Sequence, residues 1–276
     1  MSIKGRIKKK FIKLKETNKK GLITFITAGD PNYNISLEIM KNLPASGADI
    51  IEIGMPFTDP MADGPAIQAS YLRALQEGQN INKTIELVKT FRKSNNDIPI
   101  VLMGYYNPIY KYGVNKFLKD AKEAGIDGLI IVDLPPEADE EVCIPASKID
   151  IDFIRLATPT SSINRLPAII KNSSGFLYYV SVLGITGSKT PKIENIEKNI
   201  NLIKSLTNIP IAVGFGIKTP SQAVSISQTA EAIVVGSAII EKIYGAYNKD
   251  KSDIDFIIGE TCDFVKSISD AINTKD

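Results

Sequence analysis

The chain has 276 residues, 43% of them hydrophobic, enough to build one large α/β barrel or two small domains around a substantial core. Its 33 lysines and arginines nearly balance 31 aspartates and glutamates, and the formal charge of +2 excludes a nucleic-acid-binding surface unless the charges segregate. There is no histidine. This excludes Ser-His triads, histidine-ligated zinc and a histidine base, so any proton transfer falls to carboxylates, tyrosine, lysine or water.

The cysteines and the apolar runs indicate a protein of a reducing, aqueous compartment. Cys143 and Cys262 lack CxxC spacing and lie far apart, so we expect no structural disulfide. No apolar run approaches the roughly 20 residues that a membrane span needs, and the N-terminus has no signal-peptide pattern. We therefore expect a soluble protein with no membrane partner.

The first predicted element is an amphipathic helix at about Ile3–Leu14. Its lysines alternate with apolar residues, and composition favours a solvated polar face over a nucleic-acid contact. Eight short apolar, β-branched runs follow and alternate with segments of helical period. These predicted strands are Leu22–Thr27, Asp49–Ile53, Pro99–Met103, Gly128–Val132, Asp152–Leu156, Phe176–Ser181, Pro210–Val213 and Ala232–Val235.

The pattern of these runs favours a closed barrel over an open doubly wound sheet. The runs are continuously apolar, as parallel strands covered by helices are. Gly47, Gly125 and Gly175 each lie just ahead of a strand, as the glycine of an αβ turn does. Eight βα units without a linker predict a single-domain (β/α)8 TIM barrel over residues 1–276. The extra N-terminal helix and a C-terminal helix at about Ser252–Ile272 would flank it.

Glu52 is the first candidate site residue, because it interrupts the apolar run Ile50–Ile53. Burying an unpaired carboxylate is costly, so either an ion pair or a catalytic role must explain it. Active sites of such barrels gather at the C-terminal ends of the strands, which favours catalysis by an acid or base of raised pKa. A long loop is predicted from Gly54 to Asn80, with Asp59 and Asp63 in it. Turn formation explains either aspartate, but Asp63 can swing over the same barrel mouth.

Glycines after the last strands predict a phosphate site. The segments are Gly214-Phe215-Gly216 and Gly236-Ser237, the second opening a helix, and Gly187 after the sixth strand could add a donor. Backbone N–H groups at such positions bind anions in these barrels. Tight turns explain any one glycine, but they explain all three loops poorly.

The sequence resembles the tryptophan synthase α subunit family over nearly its whole length. The resemblance rests on five stretches, namely Thr24–Pro31, Ile51–Pro65, Tyr178–Gly187, Ala212–Ile217 and Val235–Ser237. It implies a lyase that cleaves indole-3-glycerol phosphate to indole and glyceraldehyde 3-phosphate in tryptophan biosynthesis.

The resemblance also implies roles for individual residues. Glu52 would be the acid/base catalyst, Asp63 would bind the indole N–H, and Tyr178 would be a supporting hydroxyl. The implied indole-pocket residues are Phe25, Ile67, Met103 and Ile130. The implied phosphate ligands and further substrate contacts are Thr186, Gly187, Phe215, Gly216, Gly236 and Ser237. Thr186 would belong to a mobile loop, Val182–Ile193, which departs from the common bacterial pattern because Val182 stands where many members have arginine.

A partner and its cofactor are implied as well. Family members dock a pyridoxal-phosphate β subunit in an α2β2 tetramer, and the implied exposed docking residues are Pro56, Phe57, Asp59 and Pro60. The chain itself would need no cofactor and no metal, because a Schiff-base aldolase needs a lysine at a strand end and none of the eight runs contains one. The indole ring would instead accept the electrons of the broken bond.

Two alternatives to this interpretation stay open at this point. Another phosphosugar barrel enzyme would share the glycine phosphate site, and a non-catalytic protein could act only by activating a β subunit. The compartment is also open between cytoplasm and plastid stroma.

Overall fold

The computed structural model describes residues 5–181, 193–214 and 216–274. Within these ranges the chain forms nine parallel strands and twelve α-helices. The strands are β1 (Gly21–Thr27), β2 (Ile50–Gly54), β3 (Ile100–Gly104), β4 (Gly128–Ile131), β5 (Asp152–Phe153), β6 (Arg155–Ala157), β7 (Leu177–Val180), β8 (Ile211–Gly214) and β9 (Ala232–Val235). The helices are α1 (Arg6–Glu16), α2 (Tyr33–Asn42), α3 (Pro65–Gln76), α4 (Ile81–Arg92), α5 (Tyr106–Tyr112), α6 (Val114–Ala124), α7 (Cys143–Ser147), α8 (Leu166–Lys171), α9 (Ile193–Leu206), α10 (Pro220–Ser227), α11 (Ser237–Lys249) and α12 (Ile254–Asn273).

The strands are ordered β5-β4-β3-β2-β1-β9-β8-β7-β6 in one sheet. Its two end strands, β5 and β6, are one extended segment interrupted at Ile154, whose N–H donates a hydrogen bond of 2.9 Å to the carbonyl of Leu129 in β4. Because β6 pairs with β7 in parallel, this segment links the two edges of the sheet. The predicted α/β barrel with extra terminal helices is confirmed, and the predicted run Asp152–Leu156 corresponds to β5 and β6 together.

Helix α1 covers the N-terminal end of the barrel. Its buried residues Ile7, Phe11 and Leu14 join the interior cluster, with the rings of Phe11 and Phe176 5.9 Å apart. A Cβ on Gly21, the first residue of β1, would lie 2.9 Å from Cδ1 of Leu14. The helix therefore closes this end of the barrel. A site can form at the opposite end, where the C-terminal ends of the strands lie.

The predicted loop from Gly54 to Asn80 is wrong in its second half. Pro65 begins α3, which continues to Gln76. Proline fits the first helical position because its missing N–H would have no partner there. The loop between β2 and α3 therefore covers only residues 55–64. None of the helices in the described ranges is long and apolar enough to cross a membrane.

Candidate active site

A cavity of about 1000 Å³ lies at the C-terminal ends of the strands. Side chains from six strands line it, namely Phe25 of β1, Glu52 of β2, Met103 of β3, Leu156 of β6, Tyr178 of β7 and Val234 of β9. The loop between β2 and α3 and the segments that follow β8 and β9 complete the wall. The fold thus collects side chains from distant parts of the sequence around one space large enough for a small organic substrate.

Glu52 is the central residue of β2 and is paired in register with Phe25 and Val101. Its side chain is 1% exposed, and Oε2 has no hydrogen-bonding partner among the described residues. Burial raises the pKa of this carboxyl to about 8, with a further contribution from the charge of Asp63. Glu52 therefore keeps its proton at neutral pH and can donate it to a bound molecule.

Asp63 is held against the same cavity by the loop that precedes α3. Its backbone carbonyl accepts a hydrogen bond of 2.8 Å from Nε2 of Gln68, and its Oδ2 accepts one of 2.7 Å from the hydroxyl of Tyr105. Burial raises the pKa of Asp63 to about 6, while the Tyr105 hydrogen bond acts in the opposite direction. Asp63 is therefore mostly ionised at neutral pH.

The two carboxyl groups thus differ in ionisation over the same pH range. Between about pH 6 and pH 8, Glu52 is protonated and Asp63 carries its charge. Pairs of carboxyl groups with separated pKa values commonly divide the roles of proton donor and electrostatic stabiliser. The cavity can therefore protonate a substrate at one point and stabilise positive charge at another.

Tyr178 lies on β7 with its hydroxyl near both carboxyl groups. Burial raises its pKa well above the ordinary value of 10, and the charges of Glu52 and Asp63 raise it further. A Cβ on Gly214 would collide with the Tyr178 hydroxyl. The absence of a side chain at Gly214 in β8 therefore gives this tyrosine the space that it occupies.

The part of the cavity wall formed after β8 and β9 has the features of an anion site. Gly216, Gly236 and Ser237 line it, and α11 begins at Ser237 without a side-chain cap. The first N–H groups of a helix lack intrahelical partners and carry the positive end of its dipole. Gly216 has φ of 86°, a left-handed conformation that favours glycine. This geometry suits a phosphate group.

Comparison with known proteins identifies the family. The family model for the tryptophan synthase alpha chain matches residues 11–267. The structure of tryptophan synthase subunit alpha from Legionella pneumophila str. Paris is 38% identical, with a TM-score of 0.89 over 98% of this chain and 99% of that one. A structure from Aquifex aeolicus VF5 is 37% identical, with a TM-score of 0.87 over 98% and 100% of the two chains. Tryptophan synthase from M. tuberculosis in an aminoacrylate-bound form is 28% identical, with a TM-score of 0.85 over 98% and 100%.

The chain belongs to the tryptophan synthase α chain family. Members are lyases that cleave indole-3-glycerol phosphate, and the chain has this α-subunit role in tryptophan biosynthesis.

The structure brings most of the predicted site residues of the tryptophan synthase α chain family together. Those that line the cavity are Phe25, Glu52, Asp63, Ile67, Met103, Tyr178, Gly216, Gly236 and Ser237. Ile130 does not line it but lies in the interior hydrophobic cluster, and Val132, two residues further along the chain, lines the cavity instead. Side chains two residues apart share a face of an extended chain. The predicted residue, Ile130, is therefore on the correct face of the chain but one layer deeper in the barrel than Val132. Thr186, Gly187, Phe215 and residues 182–192 of the predicted mobile loop lie outside the described residues.

The four predicted docking residues differ in exposure. Asp59 is exposed, while Phe57 and Pro60 are half-buried. Pro56 is buried, so its prediction as an exposed residue is wrong. The cause is that β2 continues its pairing beyond Gly54. The N–H of Met55 donates a hydrogen bond of 2.8 Å to the carbonyl of Met103, so Pro56 directly follows a residue that is still bonded to the sheet. Phe57 packs on Tyr105 with ring centroids 5.5 Å apart.

Tyr105 is a site residue that the sequence analysis missed. Its hydroxyl donates to Asp63 and accepts a hydrogen bond of 3.0 Å from the N–H of Ala62, so it fixes both the side chain and the backbone of the loop. The available signal was its place immediately after β3, where side chains of such barrels reach the active site.

Proposed function

We propose that Glu52 and Asp63 carry out the cleavage of indole-3-glycerol phosphate, and that Gly216, Gly236 and Ser237 hold the substrate phosphate. The observation that carries this proposal is the pair of buried carboxyl groups with separated pKa values on the wall of one cavity. The anion-binding geometry at the start of α11 supports the same substrate.

The proposed cleavage begins with proton transfer from the Glu52 carboxyl to C3 of the indole ring. This gives an indolenine whose ring nitrogen is positively charged. The Glu52 carboxylate then removes the proton of the hydroxyl on the adjacent glycerol carbon. As the carbonyl of glyceraldehyde 3-phosphate forms, the carbon–carbon bond breaks and its electron pair restores the aromatic ring. Glu52 ends the cycle protonated, as it began.

Asp63 stabilises the intermediate of this cycle. Its ionised carboxylate would accept the indole N–H, whose positive charge grows when C3 is protonated. Apolar side chains of Phe25, Ile67 and Met103 line the cavity near the carboxylates and suit the flat face of an indole ring. The substrate thus provides its own electron sink, and we propose that the chain itself uses no cofactor.

We also propose that the chain works with a pyridoxal-phosphate β subunit in an α2β2 tetramer. Family membership supports the β subunit as partner. The loop between β2 and α3 supports the coupling, because exposed Asp59 and catalytic Asp63 are only four residues apart in it. Packing of Phe57 on Tyr105, which bonds Asp63, would transmit an ordering of this loop to the active site.

The test is to incubate the purified chain with indole-3-glycerol phosphate and to measure free indole and glyceraldehyde 3-phosphate. We expect equal amounts of both products, and a faster rate when the β subunit is added. Products of another phosphosugar reaction would overturn the proposal. A protein that releases no indole even with β would be a non-catalytic partner. Sedimentation of the mixture tests the tetramer.

A further inference from the structure

Helix α3 carries a tyrosine, Tyr71, that is completely buried beside the active site. Its side chain packs in one cluster with Phe25, Ile67 and Tyr105. In the part of the chain that the structure describes, only three buried side-chain polar atoms lack a hydrogen-bonding partner. The Tyr71 hydroxyl is one and Oε2 of Glu52 is another. Buried polar groups are nearly always paired, so two unpaired groups in one region require an explanation.

The Tyr71 hydroxyl reaches the inner face of β2 through the space that Gly54 leaves. A Cβ on Gly54 would lie 2.8 Å from this hydroxyl and 2.5 Å from Cζ of Phe25. Glu52 and Gly54 are two residues apart in the strand, so they present to the same face at a spacing of about 7 Å. The hydroxyl therefore lies on the same face as the Glu52 side chain and one layer above it. This spacing is between Cβ positions, and the Glu52 side chain is long enough to bring its carboxyl within the roughly 5.5 Å of the hydroxyl that one bridging water spans.

Burial keeps the Tyr71 hydroxyl neutral. Burial raises its pKa well above 10, and the charges of Asp63, Tyr105 and Glu52 raise it further. Among the described residues, the titratable groups around Glu52 are Asp63 from the loop before α3, Tyr178 from β7, Tyr71 from α3 and Tyr105 beyond Asp63. A neutral hydroxyl can both donate and accept a hydrogen bond, which none of the ionised carboxylates can do.

We propose that Tyr71 is a positioning residue that holds the Glu52 carboxyl through a hydrogen bond bridged by one water molecule. The bridge can donate to the ionised carboxylate and accept from the protonated acid. It therefore keeps the carboxyl oriented toward the substrate before and after proton transfer. Only the kinetic consequence of this inference rests on the proposed function.

The direct test is the titration of Glu52 by 13C NMR in the ligand-free protein labelled at the glutamate carboxyl carbon. Glu52→Gln identifies the signal. A bond donated to the ionised form lowers a carboxyl pKa, so Tyr71→Phe should raise the pKa of Glu52 by about one unit. The matched control is Tyr179→Phe, which removes another buried hydroxyl outside the group of carboxyl side chains. The Tyr179 hydroxyl accepts a hydrogen bond of 2.9 Å from Nδ2 of Asn199. It should leave the Glu52 titration unchanged. An unchanged Glu52 titration in Tyr71→Phe would overturn the inference.

A second variant covers the case in which Tyr71→Phe does not fold. Replacing Tyr71 with 3-fluorotyrosine makes the hydroxyl a stronger donor, so the pKa of Glu52 should fall; a pKa that stays constant would contradict the bridge. Kinetics give an independent readout of positioning. We expect Tyr71→Phe to lower kcat for indole-3-glycerol phosphate cleavage by roughly tenfold with KM within about twofold, because Glu52 acts in proton transfer. A wild type that releases no indole while the NMR shift is present would refute the proposed function and support the bridge.

Discussion

The hydroxyl of Tyr105 donates a hydrogen bond of 2.7 Å to Oδ2 of Asp63. This contact joins the end of β3 to the loop before α3, so two segments distant in sequence fix one carboxylate. The same hydroxyl accepts from the N–H of Ala62, which anchors the loop backbone one residue earlier. The position of Asp63 in the cavity therefore depends on a residue from another βα unit.

Tyr105→Phe should lower cleavage about tenfold at neutral pH, because Asp63 loses its anchor. The variant also loses the hydrogen bond that lowers the pKa of Asp63. The acid limb of the kcat/KM profile, near pH 6 in the wild type, should therefore move to higher pH. The matched control is Tyr112→Phe, which removes a hydrogen bond of 2.6 Å to Asp120 among the outer helices. If both variants kept the wild-type acid limb, Tyr105 would not control Asp63.

The buried carboxyl of Glu52 should make stability depend on pH. The folded protein keeps its proton up to about pH 8, whereas the unfolded chain loses it above about pH 4.5. Unfolding therefore releases a proton between these values, and rising pH destabilises the folded state on the order of 1 kcal/mol per pH unit. Denaturant unfolding should show that Glu52→Gln gains stability over wild type from pH 5 to pH 8. The control is Glu123→Gln, at an exposed position, which should follow the wild-type curve. A stability curve of Glu52→Gln that runs parallel to the wild-type curve over this pH range would contradict the burial of an ionisable group.

A negative charge at the start of α11 should displace the substrate phosphate. In Ser237→Asp the new carboxylate would occupy the anion site, while an acidic residue in the first turn favours the helix. We expect KM for indole-3-glycerol phosphate to rise about tenfold or more and inhibition by inorganic phosphate to be lost. The control is Asn80→Asp, which adds the same charge at the N-cap of α4. Unchanged phosphate inhibition in Ser237→Asp would place the anion elsewhere.

Ser237 is a cleaner position for this test than the neighbouring glycine. A Cβ on Gly236 would lie 3.3 Å from Cβ of Phe25, a residue of the proposed indole pocket. Gly236→Val would therefore disturb both ends of the substrate at once.

Asp59 should transmit the effect of the β subunit. It is exposed, and in the free chain its Oδ2 accepts a hydrogen bond of 2.5 Å from Oγ1 of the neighbouring Thr58. Asp59→Ala should leave the slow cleavage by the isolated chain almost unchanged and remove most of the stimulation by excess β. Exposed Asp97→Ala, in the segment before β3, should be stimulated like wild type. Equal stimulation of the Asp59 variant would exclude it from the coupling.

Sequence patterns predicted the barrel because its strands are buried on both faces and therefore appear as continuous apolar runs. They also predicted Glu52, because a carboxylate inside such a run is costly. The start of α3 was missed because glycine and proline, here Gly64 and Pro65, are typical of loops as well as of helix N-termini. The single-domain interpretation stays a prediction.

The contacts between residues of different βα units could not be predicted from local patterns. Tyr105 is an ordinary aromatic residue after a strand until the fold places its hydroxyl on Asp63. Ile130 and Val132 differ only in depth along the same face, and strand periodicity identifies a face without its layer. Pro56 is buried because β2 continues to pair beyond its expected end.

Single-turnover cleavage of indole-3-glycerol phosphate by Glu52→Gln, compared with wild type, tests the central role of Glu52 most directly. The amide preserves the volume of the side chain but cannot exchange a proton. With the fold verified by circular dichroism and substrate binding within a fewfold of wild type, indole release should fall by about a hundredfold or more. Indole release at a rate close to that of wild type would show that Glu52 does not carry the proton.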